Sequence, residues 1–96
     1  MIERSFFYIG KDINIWPVFD CGSMTQTILL LATEHGLGSI PAIQPVLYPD
    51  ILRRILGLPD SKLIVLGIPI GYPDESAAIN QLRTAREPIE KVAKFY

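Results

Sequence analysis

The sequence predicts an α+β domain: a central apolar helix packed on a small β-sheet, followed by an extended C-terminal tail. Three observations carry that expectation. Apolar residues recur at helical spacing through residues 20–35. A continuous apolar run occupies residues 63–70, the pattern of a strand covered on both faces. After it the chain turns polar and irregular, with Asn80, Arg83 and Arg86 spaced along it.

The 96 residues suffice for one domain, 1–96, and no more. A chain of this size buries only about two-thirds of its unfolded surface. Yet 49% of its residues are hydrophobic, and its mean hydropathy is +0.29. One small core cannot readily hide that much apolar surface, so self-association or a further portion of fold is expected. The formal net charge of −1 provides no field for nucleic acid or an anionic membrane, and neither is expected as a partner. Cys21 is the single cysteine and excludes an internal disulfide, which fits a reducing cytoplasm. The run at Phe6-Phe7-Tyr8-Ile9 is too short for a signal sequence, and residues 63–70 are too short for a membrane span.

Residues 1–16 fit no single period and suggest a short strand or a loosely packed arm, with a turn at Gly10-Lys11-Asp12. Pro17 and Asp20 open the first helix, with Asp20 as its N-cap. Met24, Thr27, Ile28, Leu31 and His35 then follow helical spacing. Because Ile28-Leu29-Leu30-Leu31-Ala32 is apolar all round, this helix is expected to be buried on more than one side. Gly36 suits the left-handed position after the helix, with Leu37 folding back on Leu31 or Ala32.

Residues 38–44 read as a short, stiff segment, compatible with part of a strand. Pro41 and Pro45 remove two backbone donors and bias Ile40 and Gln44 towards extended conformations. Pro49 and Asp50 open a second helix, which Gly57 and Pro59 end. Its apolar stripe is Ile51, Leu52, Ile55 and Leu56, with Arg53 and Arg54 facing elsewhere. In the strand that follows, one face carries Ile64, Leu66, Ile68 and Ile70. The other flattens through Gly67, Pro69 and Gly71, admitting another backbone or a ligand, and Pro69 implies an unpaired edge. Tyr72-Pro73-Asp74-Glu75 is a turn, and Ile89, Val92 and Phe95 share one short face of a tail expected to pack outside its own helices.

Local chemistry alone points to no catalytic set. His35 is the single histidine and sits at a helix end, where it favours the dipole. No cluster has metal-ligand spacing. Without a second histidine as base, Cys21 is expected to be a buried, inert thiol. Gly36-Leu37-Gly38 follows a helix and reads as a cap, not a dinucleotide fingerprint. Trp16 and Tyr72 suit a core or an interface. Arg83 and Arg86 are surface charges that could clamp a phosphate.

In combination, three ordered segments resemble the FMN-dependent nitroreductase family. They are Asp20-x-Gly22 with Gln26, Leu29-Leu30-Leu31-Ala32 and Gly36-Leu37-Gly38; then Ile51 to Pro59 with the apolar strand and Gly71-Tyr72-Pro73; then Asn80-x-x-Arg83-x-x-Arg86-x-Pro88, close to the nitrobenzoate-reductase-like branch. The resemblance implies a partial nitroreductase-like fold, the C-terminal half, because Glu3-Arg4-Ser5 lacks the helical context of the family's N-terminal Arg-x-Ser motif. It implies an intertwined homodimer with FMN at the interface, reduced by NAD(P)H through hydride transfer. A nitroaromatic, a quinone or a similar small aromatic electron acceptor would then be reduced in a ping-pong cycle. Cofactor-binding residues follow by position. The segment Pro41, Ala42, Ile43 and Gln44 lies by the flavin ring, with backbone N–H donors from Ala42, Ile43 or Gln44. Arg86, or second Arg83, meets the FMN phosphate. The alternatives are a non-catalytic dimerisation remnant of the same fold and a small anion-binding module built on Arg83 and Arg86.

Overall fold

The apolar run at 63–70 becomes the middle strand of a three-stranded antiparallel sheet. In the computed structural model, which describes residues 3–11 and 14–96, β1 is Glu3–Gly10, β2 is Gly38–Ser39 and β3 is Lys62–Gly71, in the order β1-β3-β2. The aperiodic N-terminal segment is thus a full strand. Phe7 opposes Leu66 and Tyr8 opposes Ile64, so Val65 is an extra residue on β3 and the register between the two strands shifts there. The expected turn at residues 10–12 falls partly outside the described residues, through Asp12.

Helix α1, Trp16–Glu34, packs on β3 and β1. It starts earlier than the sequence suggests. Asp20 lies inside the helix, not at its N-cap. The first turn is instead built by Pro17, which needs no hydrogen-bond acceptor there, and by Asn14 Oδ1, which accepts from the Trp16 N–H at 3.2 Å. The helix stop follows the expectation: Gly36 has φ +72°, the Leu37 N–H donates to Ala32 O (2.8 Å), and the Gly36 N–H donates to Thr33 O (3.0 Å). These two bonds form a complete Schellman closure.

Burial on more than one side is not what the chain achieves. Only a narrow stripe of α1 is buried, namely Cys21, Thr25 and Ala32. Small residues there let the helix approach the sheet. Leu30 remains 63% exposed, and Leu31, Met24, Phe19 and Trp16 are exposed as well. The physical reason is that two helix faces need two partners, and the chain supplies one.

Helix α2, Pro49–Leu56, reverses its expected polarity. Arg53 is buried at 8% exposure, whereas Ile51, Ile55 and Leu56 are exposed. The Arg53 guanidinium donates from Nε to Lys62 O (3.1 Å) and from Nη1 to Asp50 Oδ1 (2.9 Å), tying α2 to the start of β3. Gly57, at φ +69°, ends the helix, with the Leu58 N–H donating to Arg53 O at 2.9 Å.

The core is therefore small. Among the described residues Ile68 is the one large side chain that is fully buried, supported by Ile64, Cys21 and Ala32. The accessible surface is 8080 Å², against about 5,500 Å² expected for a folded chain of this mass. The radius of gyration is 16.1 Å, against about 12.5 Å. The tail holds only a 3-10 turn at Ala78–Gln81 and a four-residue helix α3, Ile89–Val92. Ile89, Val92 and Phe95 are all exposed, so the expected tail face has no seat on this chain. Among the described residues no helix is long and apolar enough to cross a membrane.

Candidate functional site

The site is built around the segment between β2 and α2. β2 ends at Ser39 because the next pair, Ile40 and Pro69, can form only one of its two ladder bonds, Pro69 having no N–H. The Ile40 N–H makes a long bond to Pro69 O (3.3 Å), and the chain then returns to β3 at a single bridge. There the Ala42 N–H donates to Gly67 O (2.8 Å), and the Gly67 N–H donates to Ala42 O (3.0 Å). Pro69 is flanked on both sides by neighbouring strands, so no whole edge of β3 is open. Its carbonyl faces Ile40, and a strand residue's N and C=O project to the same side. Its missing donor therefore falls where β2 has already stopped.

Residues 44–46 then coil into a 3-10 turn, Gln44–Val46. Gln44 is not extended, despite preceding Pro45. The turn is closed by the Val46 N–H donating to Ile43 O (2.9 Å) and the Leu47 N–H to Gln44 O (3.3 Å). This geometry sorts the candidate donors. The Ala42 N–H is spent on the sheet. The N–H groups of Ile43 and Gln44 donate to no described residue, and both residues are exposed. Open N–H groups at the start of a helical turn are suited to an acceptor atom of a ligand.

The segment is flanked by a cavity of about 290 Å³ between Gly38-Ser39-Ile40 and the end of β3, with Tyr72, Pro73 and Asn80 as its far wall. Pro73 and Asn80 also border a second hollow that reaches Gln81 and Arg83. Asn80 thus links the β2 side of the site to the first of the two candidate arginines. Arg86 borders none of these hollows. Both guanidinium groups are exposed and bond locally, Arg83 Nη1 to Asn80 O (2.8 Å) and Arg86 Nη1 to Thr84 Oγ1 (2.5 Å). Arg83 borders a hollow that shares Pro73 and Asn80 with the cavity beside Ile40, whereas Pro41 to Gln44 line neither of these two, and Arg86 stands apart from both.

Other candidates take quiet positions. Cys21 is buried and unpaired, and His35 is the C-cap of α1. Asp74 anchors the turn into the tail, its Oδ1 accepting from the Ser76 hydroxyl (2.6 Å) and N–H (3.0 Å). The Ser76 hydroxyl, then its N–H, hold the Asp74 carboxyl below its ordinary value. Sequence reasoning missed Arg4 and Phe6, which border Gln44 and Pro45 from β1. Only the β1–β3 register, a contact across some 60 residues of chain, brings them there.

The family profile described as Nitroreductase family matches residues 2–72. The chain belongs to the nitroreductase family. It is 33% identical over 89 residues to a 4-nitrobenzoate reductase of Pseudomonas putida, covering 93% of this chain and 39% of that protein. It is 37% identical over 76 residues to nitroreductase NfnB of Mycolicibacterium smegmatis, covering 79% and 32%. Among solved structures, the FMN- and NADPH-dependent nitroreductase NfnB from Sphigopyxis sp. strain HMH superposes with a TM-score of 0.91 at 29% identity, covering 97% of this chain and 42% of that one. The FMN-dependent NfnB from Mycobacterium smegmatis in complex with NADPH does so with 0.89 at 28%, covering 97% and 41%. The chain thus spans about two-fifths of the length of these relatives, and its architecture is a partial nitroreductase fold.

Proposed function

We propose that this chain forms one side of the flavin site of an FMN-dependent NAD(P)H oxidoreductase of nitroreductase type, acting on nitroaromatics or quinones. The observation that carries this reading is the pair of N–H groups at Ile43 and Gln44. They lack a partner among the described residues and lie in the segment where the family resemblance expects the flavin ring. The FMN dependence of the matching structures supports it.

When bound, FMN supplies hydride acceptance from NAD(P)H and electron delivery to the acceptor in alternate half-reactions. The protein's part is orientation. Pro41 and the Ala42–Gly67 bridge fix the strand edge, so the Ile43 and Gln44 N–H groups are held in place before a ligand arrives. The Ala42 N–H is already committed, which leaves these two as donors toward the ring's polar edge. Arg86, with Arg83 second, would neutralise the phosphate. Both must first exchange bonds to local carbonyls or a hydroxyl, a modest cost for exposed groups. The exposed apolar faces of α1 and α2 suit a homodimer in which a second copy completes the site.

FMN titration followed by flavin absorbance and fluorescence tests the reading. Saturable binding is expected, weakened about tenfold or more in Arg86→Ala by loss of a charge-assisted phosphate contact. Protein that leaves FMN fluorescence unchanged would remove this chain from the flavin site.

The exposed surface favours a second reading, a non-catalytic dimerisation unit of the same fold. Sedimentation would then show a stable dimer that neither binds FMN nor oxidises NAD(P)H.

A further inference from the structure

The sheet has two outer edges, and they are built differently. The β2 edge is 2 residues long, with Pro41 close behind it. The β1 edge is 8 residues long, Glu3–Gly10. Its bonding direction follows from β3. Gly67 exchanges both backbone bonds with Ala42, and Pro69 O accepts from Ile40, so both residues turn their polar groups away from β1. Their β1 partners, Phe6 and Arg4, therefore form non-hydrogen-bonded pairs, with N–H and C=O pointing outward. Alternation along β1 adds Tyr8 and Gly10 to the outward set. The Lys11 N–H, which donates to Ser61 O at 3.0 Å, fixes the same phase. The outward groups of Arg4, Phe6, Tyr8 and Gly10 have no backbone partner among the described residues.

A row of open backbone groups is a template for a further strand, so sheets blunt such edges with brevity, lysine, proline or a bulge. β1 has none of these. Residues 4–10 contain no lysine and no proline, and the bulged residue, Val65, lies on β3. The strand is also complementary to itself. Two copies run antiparallel about a two-fold axis satisfy every outward group in one register, with Arg4 opposite Gly10 and Phe6 opposite Tyr8. Phe6 and Tyr8 then form aromatic cross-strand pairs on the Gly67 face. Phe7 meets Phe7 of the second copy at the axis, on the face shared with Ile68. No like charges are opposed, because Arg4 is the one charge in residues 4–10 and it faces a glycine. Tyr8 is exposed and Phe6, Phe7 and Ile9 are half-buried, so the same contact takes aromatic and aliphatic surface out of water.

We propose that β1 is a self-recognition edge: a second copy of this chain adds its own β1 antiparallel, in that register, and the sheet continues across both molecules. The contact lies on the sheet edge, apart from the outward faces of α1 and α2, and it does not depend on the flavin reading.

Amide hydrogen exchange by NMR, compared between dilute samples that sediment as monomer and concentrated samples that sediment as dimer, tests the edge on the whole chain. The Phe6 and Tyr8 amides are expected to exchange about tenfold more slowly once about nine copies in ten are paired. The Ser5 and Phe7 amides, bonded to β3, should be protected in both samples. Tyr8→Pro removes an outward donor but no β1–β3 bond, so it should abolish the concentration dependence at Phe6 while Ser5 stays protected. If that variant unfolds, seen as loss of Ser5 protection, a pair of substitutions at Gly10 decides, because a Cβ there meets nothing within 4 Å. Gly10→Lys, set against Arg4, should weaken association about two- to fivefold, and Gly10→Glu should tighten it by a similar factor. A chain that sediments as a monomer throughout, Phe6 and Tyr8 amides indifferent to dimer formation, or equal effects of the two Gly10 substitutions would overturn the proposal. So would association that survives Tyr8→Pro but not Leu30→Ala, which means that the helix faces make the contact. Isotope-filtered contacts from Phe6 to Leu82 in place of Tyr8 would also overturn it, because the second copy's tail would then hold the edge.

Discussion

Two apolar surfaces meet opposite fates in this molecule. The sheet-facing stripe of α1, small residues at Cys21, Thr25 and Ala32, closes over β3, where Ile68 is 0% exposed. The outward stripe, with larger side chains at Phe19, Leu30 and Leu31, and its counterpart on α2 at Ile51 and Ile55, remain in solvent. Hydrophobicity alone does not say where a core forms. A core forms where a second element supplies complementary area, and here one sheet serves one stripe. The accessible surface exceeds that of a typical folded chain of this mass by about 2,500 Å². That is several times the roughly 800 Å² each partner contributes to a standard interface.

The contrast breaks most sharply at the buried side. Ile68→Ala should cost about 2–5 kcal/mol in urea unfolding, enough to abolish a cooperative transition in a core this small. The same truncation at Leu30 should cost under about 1 kcal/mol in the monomer, because little surface there leaves water. If the outward stripe is an interface, Leu30→Ala lowers association in sedimentation while sparing the monomer. A Leu30 variant as damaging as Ile68→Ala at concentrations where the chain is monomeric would erase the distinction.

Arg53 tests the inverted polarity of α2. Arg53→Met keeps the stem but orphans Lys62 O and Asp50, and should cost about 1–3 kcal/mol, whereas Arg54→Met should cost under about 0.5 kcal/mol. Equal effects would mean that α2 is not tethered through Arg53. The opposite face of the sheet is probed by Gly67→Ala. Its Cβ would press on the Phe6 ring at 3.0 Å, so a loss of about 1 kcal/mol is expected, eased by movement of that ring. Chemical shifts of the Phe6 ring protons would report the displacement.

The smallest effect concerns the turn into the tail. The folded Asp74 carboxyl titrates below its ordinary 3.8, held down by the Ser76 hydroxyl and N–H. The unfolded chain therefore binds the proton first as pH falls. The turn's contribution is present above the unfolded value and is lost as pH drops through the lower folded one. NMR titration should place the Asp74 midpoint below 3.8, with the Ser76 amide shifting in parallel. Asp74→Asn should remove that step and leave the fold intact.

Much of the local structure was legible in the sequence. Gly36 and Gly57 marked both helix stops, because only a residue without Cβ takes positive φ cheaply. Pro49 and Asp50 marked the second helix start, and the apolar run marked β3. Asp20 misled because Pro17 and Asn14 already built the first turn four residues earlier. β1 was hidden because its apolar residues follow no clean period of two, and the bulge at Val65 lies on its partner β3, not on β1 itself. At the site, the segment 41–44 was legible by resemblance. That Ala42 is spent on Gly67, and that Arg4 and Phe6 stand beside Gln44, was not.

By itself, then, the sequence determined both helix stops, the start of the second helix and the β3 strand, because each depends on residues within a turn or two of one another, and the order of its motifs along the chain determined the family. The tertiary structure alone decided which apolar stripe is core and which is open, which arginine is buried, and which N–H groups remain for a ligand. Each of those depends on what a distant strand or helix brings into contact, and no local spacing encodes it.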